Sequence, residues 1–465
     1  MTSRRNKILA SIALAVALLV AACTPPNSAP TVTIQSPTDG ATSFSPVVLS
    51  ATASDAQDGE LTTAITWTSD VDGTLTPAGN GEVALSLGAH VITASASDSA
   101  GLSGSASVSI EVVTPKATHA VAEGLNVHLL YIEEGALVEA DSASIPAADL
   151  LPQHAIFNVI KHPTEPWLYA ASANDCGGGT VACWGNGRID RFVIENDSIR
   201  HDGAAFLYDL DAVDVTCAQA PVDPAYDGQV GWCAPNGMVF SPDGKRFYVD
   251  DDDLDGIHIF AVDGAGDLTF LAEGGTTSAH GLTIDASGDY LYNGSSVISV
   301  AGDVAADVFA GAYGNATAIV DVGGTARLIS TVLTSDVAAY DLIDPLAPNL
   351  IDTLALGSDL ARDLEMSSTG GVVVVGKNSV RTALFDGTAF TALDTYTAAE
   401  AFTTQYRGVA LSADGTSAIA AWFQRLAEDT FSGGVQLFAI ADDGVLAKID
   451  AVEYGGRGTT VLRVR

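Results

Sequence analysis

Three arginines, Arg362, Arg407 and Arg457, hold the same place in a phrase that recurs along this 465-residue chain. Arginine presents a planar fork of N–H donors that matches a carboxylate or phosphate two bonds at a time, so a cluster of them would capture a small anion. The phrase is clearest as Pro235-Asn-Gly-Met-Val-Phe-Ser-Pro-Asp-Gly-Lys-Arg-Phe-Tyr-Val249, and it returns as Tyr406-Arg-Gly-Val-Ala-Leu-Ser-Ala-Asp-Gly-Thr-Ser-Ala-Ile-Ala420. Aligned on their turns, its copies place Phe157, Asn236, His280, Ala316, Arg362, Arg407 and Arg457 in register. A competing role for each Arg is to pair with a local acid such as Asp363 and brace the fold. The spacing alone leaves both roles open.

Two other constellations have the residue types of a cation site. The run Asp250 to Gly256 contains Asp251-x-Asp253-x-Asp255-Gly, as in calcium loops, although position twelve of that pattern is Val262 instead of a bidentate Glu. Asp55, Asp58 and Glu60 follow one predicted strand and Asp98 follows another, and the two loops could converge on Ca²⁺. For both groups the competing reading is a set of solvated loop acids. His90 reads as a packed residue at a strand edge. The chain has no Gly-x-Ser-x-Gly elbow, His-Glu-x-x-His, Walker loop or Cys-x-x-Cys-His.

The elements that position these residues are strands. Each copy of the phrase reads as strand, Asp-Gly turn, strand, a unit that cannot bury its apolar face without neighbours. After the first interval of 79 residues, copies stand 36 to 50 apart, the length of a four-stranded propeller blade. Seven registered positions predict a seven-bladed β-propeller over 116–465 whose channel mouth they encircle. The last copy stops after one strand, and 118–140 has strands but no phrase, so the two ends are expected to complete one blade and remove its edges. Ahead of it, 31–115 carries short alternating strands and predicts an Ig-like β-sandwich with Trp67 in its core. The fold class is therefore all-β.

Charge and processing set the compartment. With 20 Lys+Arg against 57 Asp+Glu the formal net charge is -37, which repels nucleic acid and anionic lipid headgroups. Arg4, Arg5 and Lys7 precede an apolar run from Ile8 to Ala22, the form of a signal peptide over 1–22. Residues 23–30 are Pro-rich and read as a tether. Cys176, Cys183, Cys217 and Cys233 remain as an even set for an oxidising compartment. Four cysteines allow three pairings, of which the two local ones, 176 with 183 and 217 with 233, are preferred. They sit in the long first interval and would pin loops over the channel mouth.

Several segments resemble known families. Val20-Ala21-Ala22-Cys23 resembles the bacterial lipobox, which implies lipidation of Cys23, and Thr24 after it implies sorting to the outer membrane; the competing reading is an ordinary cleaved signal. Residues 94–110 resemble the end of bacterial Ig-like and PKD-type domains. The phrase Pro235 to Val249 resembles the gluconolactonase family, whose Asn at this position binds a metal. His280-Gly-Leu-Thr-Ile-Asp-Ala-Ser-Gly288 resembles that family's next segment, with His280 in place of its Asp ligand. The resemblance implies Asn236 and His280 as ligands of a divalent ion that could polarise a lactone carbonyl or activate water. The repeat is also similar to the 6-phosphogluconolactonase-like family, whose Pro-Arg-His phrase puts Arg at the positions of Arg407 and Arg457 and His where this chain has Gly408 and Gly458.

These readings lead to a lipid-anchored protein of the cell envelope, without nucleic acid partners, whose propeller binds a small anionic ligand or a protein partner through Arg362, Arg407, Arg457, Asn236 and His280. The alternative is a metal-assisted lactonase acting on an acidic lactone, with Ca or another divalent ion as the cofactor.

Overall fold

The computed structural model describes residues 26–76, 79–147, 154–174, 187–207, 235–251, 256–275, 281–312, 314–332, 336–357, 359–398, 404–427, 430–454 and 458–464. The chain divides into two compact units, Met1–Pro115 and Lys116–Arg465. Cys23 and the other four cysteines, His280, Asp253, Asp255 and Arg457 lie outside the described residues.

The first unit is a pair of β-sheets. Strand Val47–Asp55 pairs with Thr31–Ser36, Gly59–Glu60 and Gly81–Val83, while Gly88–Ser97 and Ser103–Val113 form the centre of the other sheet. Alternation in Val47–Asp55 turns Val47, Leu49, Ala51 and Ala53 inward, the period of two that a pleated strand imposes. Trp67 is fully buried in this core, and its indole N–H donates to the Gly79 carbonyl at 2.8 Å. The strand Gly81–Val83 is short, and Thr66–Ser69 begins after a 3-10 turn at Thr62–Ala64. His90 is 2% exposed and is held by the Ser69 hydroxyl at 2.9 Å and the Ser86 carbonyl at 2.8 Å, which makes it a structural residue.

The second unit holds seven four-stranded antiparallel sheets among its described residues, a propeller-like all-β arrangement. Six of them follow chain order, from His154–Lys161 through to Leu446–Glu453. The seventh joins both ends: Gly458–Arg463 pairs with His119–Glu123, Val461 opposite Val121, and Asn126–Glu133 and Ala136–Ser144 complete it. The first strands of successive sheets touch one another in order, and Gly458–Arg463 touches His154–Lys161, so the seven inner strands close a ring.

The recurring turn has a physical basis. At Ser241 to Gly244 the Gly244 N–H donates to the Ser241 carbonyl at 2.9 Å, and the Asp243 carboxylate accepts the Ser241 hydroxyl at 2.7 Å. Ser412 to Gly415 repeats both bonds at the same lengths. Gly244 and Gly415 each have φ +72°, a left-handed conformation that favours glycine. The Ser-x-Asp-Gly of the phrase is thus hairpin chemistry, and the registered positions are at the other end of the strand.

Candidate functional site

A cavity of about 230 Å³ lies on the axis of the ring; six of the seven inner strands contribute to its wall, and Gly281 and Leu282, just before the short strand Thr283–Ile284, supply the rest. Its polar lining includes Asn158, Asn315, Arg362, Asp363, Arg407 and Thr460. Arg362 and Arg407, two of the three arginines of the repeat, therefore share one pocket.

The backbone explains why they point there. In Ala361–Met366, Ala361 pairs with Gly376 and Asp363 with Val375, so Arg362 is the extra residue of a β-bulge. In Thr404–Leu411, Tyr406 pairs with Trp422 and Gly408 with Ala421, so Arg407 is extra in the same way. Phe157 has that position in His154–Lys161, and Asn236 with Gly237 in Pro235–Phe240. The registered positions expected just before the inner strands therefore lie inside these four strands. A bulge breaks the ladder locally and re-aims its side chain, which brings Arg362 and Arg407 to the axis.

Their electrostatics follow from burial in the company of a like charge. The Nε atoms of Arg362 and Arg407 are both buried without a hydrogen-bond partner. Burial, together with the neighbouring Arg362 guanidinium, pulls Arg407 down to about 10, still cationic at neutral pH. Burial lowers Arg362 as well, partly offset by Asp359. The Arg407 guanidinium carbon sits 5.5 Å from the centre of the Phe423 ring.

Asp363 does not pair with these arginines. Its carboxylate accepts the Leu364 N–H at 2.8 Å and, from the adjacent inner strand, the Val409 N–H at 2.9 Å. Two residues on, Glu365 accepts the Leu411 N–H at 2.7 Å. Inner strands of adjacent sheets share no backbone ladder, and these carboxyls join them instead, as Asn315 does by donating to the Ala361 carbonyl at 3.0 Å. Burial pushes Asp363 up to about 6, against its two N–H bonds, and Glu365 up to about 7, with Asp363 adding repulsion.

The strands crowd the neighbouring positions. A Cβ added at Gly408 would come 2.9 Å from Thr460 Cα and Val461 N. The His of the Pro-Arg-His phrase would fall at this glycine, where a side chain fits only if the closing strand moves. One at Gly281 would come 2.6 Å from Ala316 Cα. Asn158, Asn315 and Asp363 are cavity residues that the sequence reading did not select as ligand contacts. Asn158 and Asp363 each follow a registered position directly, and Asn315 precedes one.

For the remaining candidates the structure is more restrictive. Asn236 lies within Pro235–Phe240, and its side chain, like that of Asp251, is outside what is described. In the first unit, Asp55 accepts the Gln57 and Asp58 N–H groups, Asp98 accepts those of Ala100 and Leu102, and Asp58 accepts the Ser99 N–H and hydroxyl. Among the described residues no three His, Cys, Asp or Glu side chains come together to hold a metal, so the convergence on Ca²⁺ expected of Asp55, Asp58 and Asp98 is not formed. These acids are spent on turns. Among the described residues no helix is long and apolar enough to cross a membrane.

A solved structure shares the fold. A candidate 6-phosphogluconolactonase from Bacteroides fragilis NCTC 9343 superposes with TM-score 0.53 and 12% identity, over 75% of this chain and 98% of that one. A second, from Bacteroides uniformis ATCC 8492, matches with TM-score 0.41 and 13% identity, over 76% of this chain and 100% of that one. The periplasmic gluconolactonase of Pseudomonas aeruginosa matches with TM-score 0.36 and 13% identity, over 90% and 96%. No protein-family model matches the chain, and no curated protein does.

Proposed function

We propose that residues 116–465 form a seven-bladed β-propeller that binds a small anionic ligand in its axial cavity, with Arg362 and Arg407 as the anion-binding pair. One observation carries this reading: two guanidiniums share a polar cavity with their Nε donors buried and unpartnered. A buried, unsatisfied, charged donor is costly, and an anion removes that cost. Arg457, in register with them, is a third donor in this proposal, and Asn236 and His280 complete the ring of registered positions. In a chain of net charge -37 a retained cationic pocket selects anions by sign alone.

In this proposal the first 30 residues direct the protein to the cell envelope, lipid-anchored through Cys23 at the periplasmic or surface face of the outer membrane, with 31–115 as an Ig-like stalk. Calorimetry with a panel of small carboxylates and phosphates tests the site. Arg362→Gln and Arg407→Gln are each expected to weaken the best ligand by about ten- to a hundredfold, the worth of a hydrogen bond to a charged group. Binding unchanged in both variants overturns the reading. A lactone-hydrolysis screen with metal analysis decides the alternative: stoichiometric metal and turnover abolished by His280→Ala would establish a lactonase.

A further inference from the structure

Acids outnumber bases 57 to 20 in this chain, so a lysine or arginine without an acidic partner is unusual. Eight of the described ones lie 3.9 Å or less from a carboxylate oxygen. Among the described residues three that are not so paired, Arg362, Lys377 and Arg407, meet at one place. Lys377 sits in the loop between Gly371–Gly376 and Ser379–Phe385. Its N–H donates to the Leu360 carbonyl at 3.0 Å and its carbonyl accepts the Tyr406 N–H at 3.3 Å. Leu360 is two residues before Arg362 and Tyr406 is next to Arg407, so Lys377 is tied by its backbone to both arginine strands.

Its environment leaves the ammonium available. The side chain is exposed and does not line the axial cavity. The acid of this loop region, Asp359, accepts the Asn378 N–H at 3.0 Å and the Ser379 hydroxyl, and lies 3.9 Å from Arg381. That carboxylate is committed to the loop and to Arg381. Two cationic points of different kind result: a guanidinium pair lining the cavity and one exposed ammonium on the loop bonded to both arginine strands.

Resting on the anion site proposed above, we infer that the ligand carries two separated anionic groups, one held by Arg362 and Arg407 and the other received by Lys377. Lys377 is thus a specificity residue that separates dianions from monoanions. An exposed ammonium facing a carboxylate gives a modest, salt-sensitive preference of about two- to fivefold.

Glutarate and its monoamide glutaramate, equal in length and differing by one charge, provide the probes. They are titrated by calorimetry at low ionic strength into the full chain, into Lys377→Gln and into Arg407→Gln. After the statistical factor of two from the two equivalent carboxylates of glutarate is divided out, the wild type is expected to prefer glutarate about two- to fivefold, and this corrected preference is expected to shrink as salt is added. On the same corrected scale, Lys377→Gln should bind both probes as the wild type binds glutaramate, and Lys377→Glu should favour glutaramate. Equal corrected affinities in the wild type, or a corrected preference that survives in Lys377→Gln, overturn the role of Lys377 while loss of binding in Arg407→Gln leaves the anion site standing. Failure of both probes to bind the wild type, or binding that Arg407→Gln leaves unchanged, removes the anion site and this inference with it.

Discussion

At the residue scale, two cavity charges that want a partner stand beside two carboxyls that bond to the backbone, Asp363 in the cavity wall and Glu365 two residues on. Asp363 rises from 3.8 to about 6 and Glu365 from 4.5 to about 7, both through burial. A carboxyl with a raised folded pKa binds more protons when folded than when unfolded. Its stabilising contribution is complete below the unfolded value and is lost as pH climbs through the folded one. These two groups should therefore make stability fall between about pH 4 and pH 7. The groups that face Glu365 electrostatically are Asp363 and Arg463, of opposite sign. Thermal unfolding of wild type and of the Asp363→Asn, Glu365→Gln double variant, followed from pH 4.5 to 8, checks the sign. The difference between the two proteins should change in favour of the variant as pH rises; a difference independent of pH rejects the assignment. At Arg407 a charge-conserving Lys separates charge from geometry, because Lys lacks the fork. Arg407→Lys is expected to recover only part of the affinity lost in Arg407→Gln, as calorimetry would show.

At the element scale, the bulge and the glycine beside it are one device. The bulge aims Arg407 at the axis, and Gly408 lets Gly458–Arg463 approach to a distance at which a Cβ would meet Thr460 Cα at 2.9 Å. Gly408→Ala should cost about 1–3 kcal/mol by overpacking. Gly264→Ala, at a site with nothing within 4 Å of the added carbon, should stay within about 0.5 kcal/mol. Urea unfolding measures both, and equal effects would show that the close approach does not matter. This scale also shows what the sequence made legible. The Ser-x-Asp-Gly turn is a local rule, visible in any one copy, and aligning its copies identified Arg362 and Arg407. A bulge is a mismatch between a strand and its partner, so it has no mark in the strand alone. Asn315 and Lys377 were missed for a related reason: neither belongs to the phrase, and only the packing of strands brings Asn315 to the cavity and ties the Lys377 backbone to the two arginine strands. At Asp55, Asp58 and Asp98 the sequence left loop acids and a Ca²⁺ site both open, because carboxylates that cap turns have the same residue types as carboxylates that hold metals.

For the second unit as a whole, function depends on closure, because the cavity wall draws on all seven sheets, through six inner strands and the residues just before the seventh. The closing strand is Gly458–Arg463, paired with His119–Glu123 from the other end of this unit. Val461, 4% exposed, packs there with Val121, Ala410 and Ile419, so it touches both the sheet it completes and the sheet before it. An aspartate at this position buries a charge with no cation partner, at an expected cost of about 3 kcal/mol or more. Val445, 47% exposed at an outer turn, takes the same substitution in water and should lose less than about 0.5 kcal/mol. The binding reading adds a sharper consequence. If Arg362 and Arg407 are held to the axis by a closed ring, Val461→Asp should abolish anion binding even where circular dichroism still reports strands, while Val445→Asp binds as the wild type does. Calorimetry on both variants, beside urea unfolding, tests this. Retained affinity in a ring that has lost its cooperative transition would mean that the two bulged strands Ala361–Met366 and Thr404–Leu411, joined through Asp363 and Glu365, form the anion site without the remaining sheets.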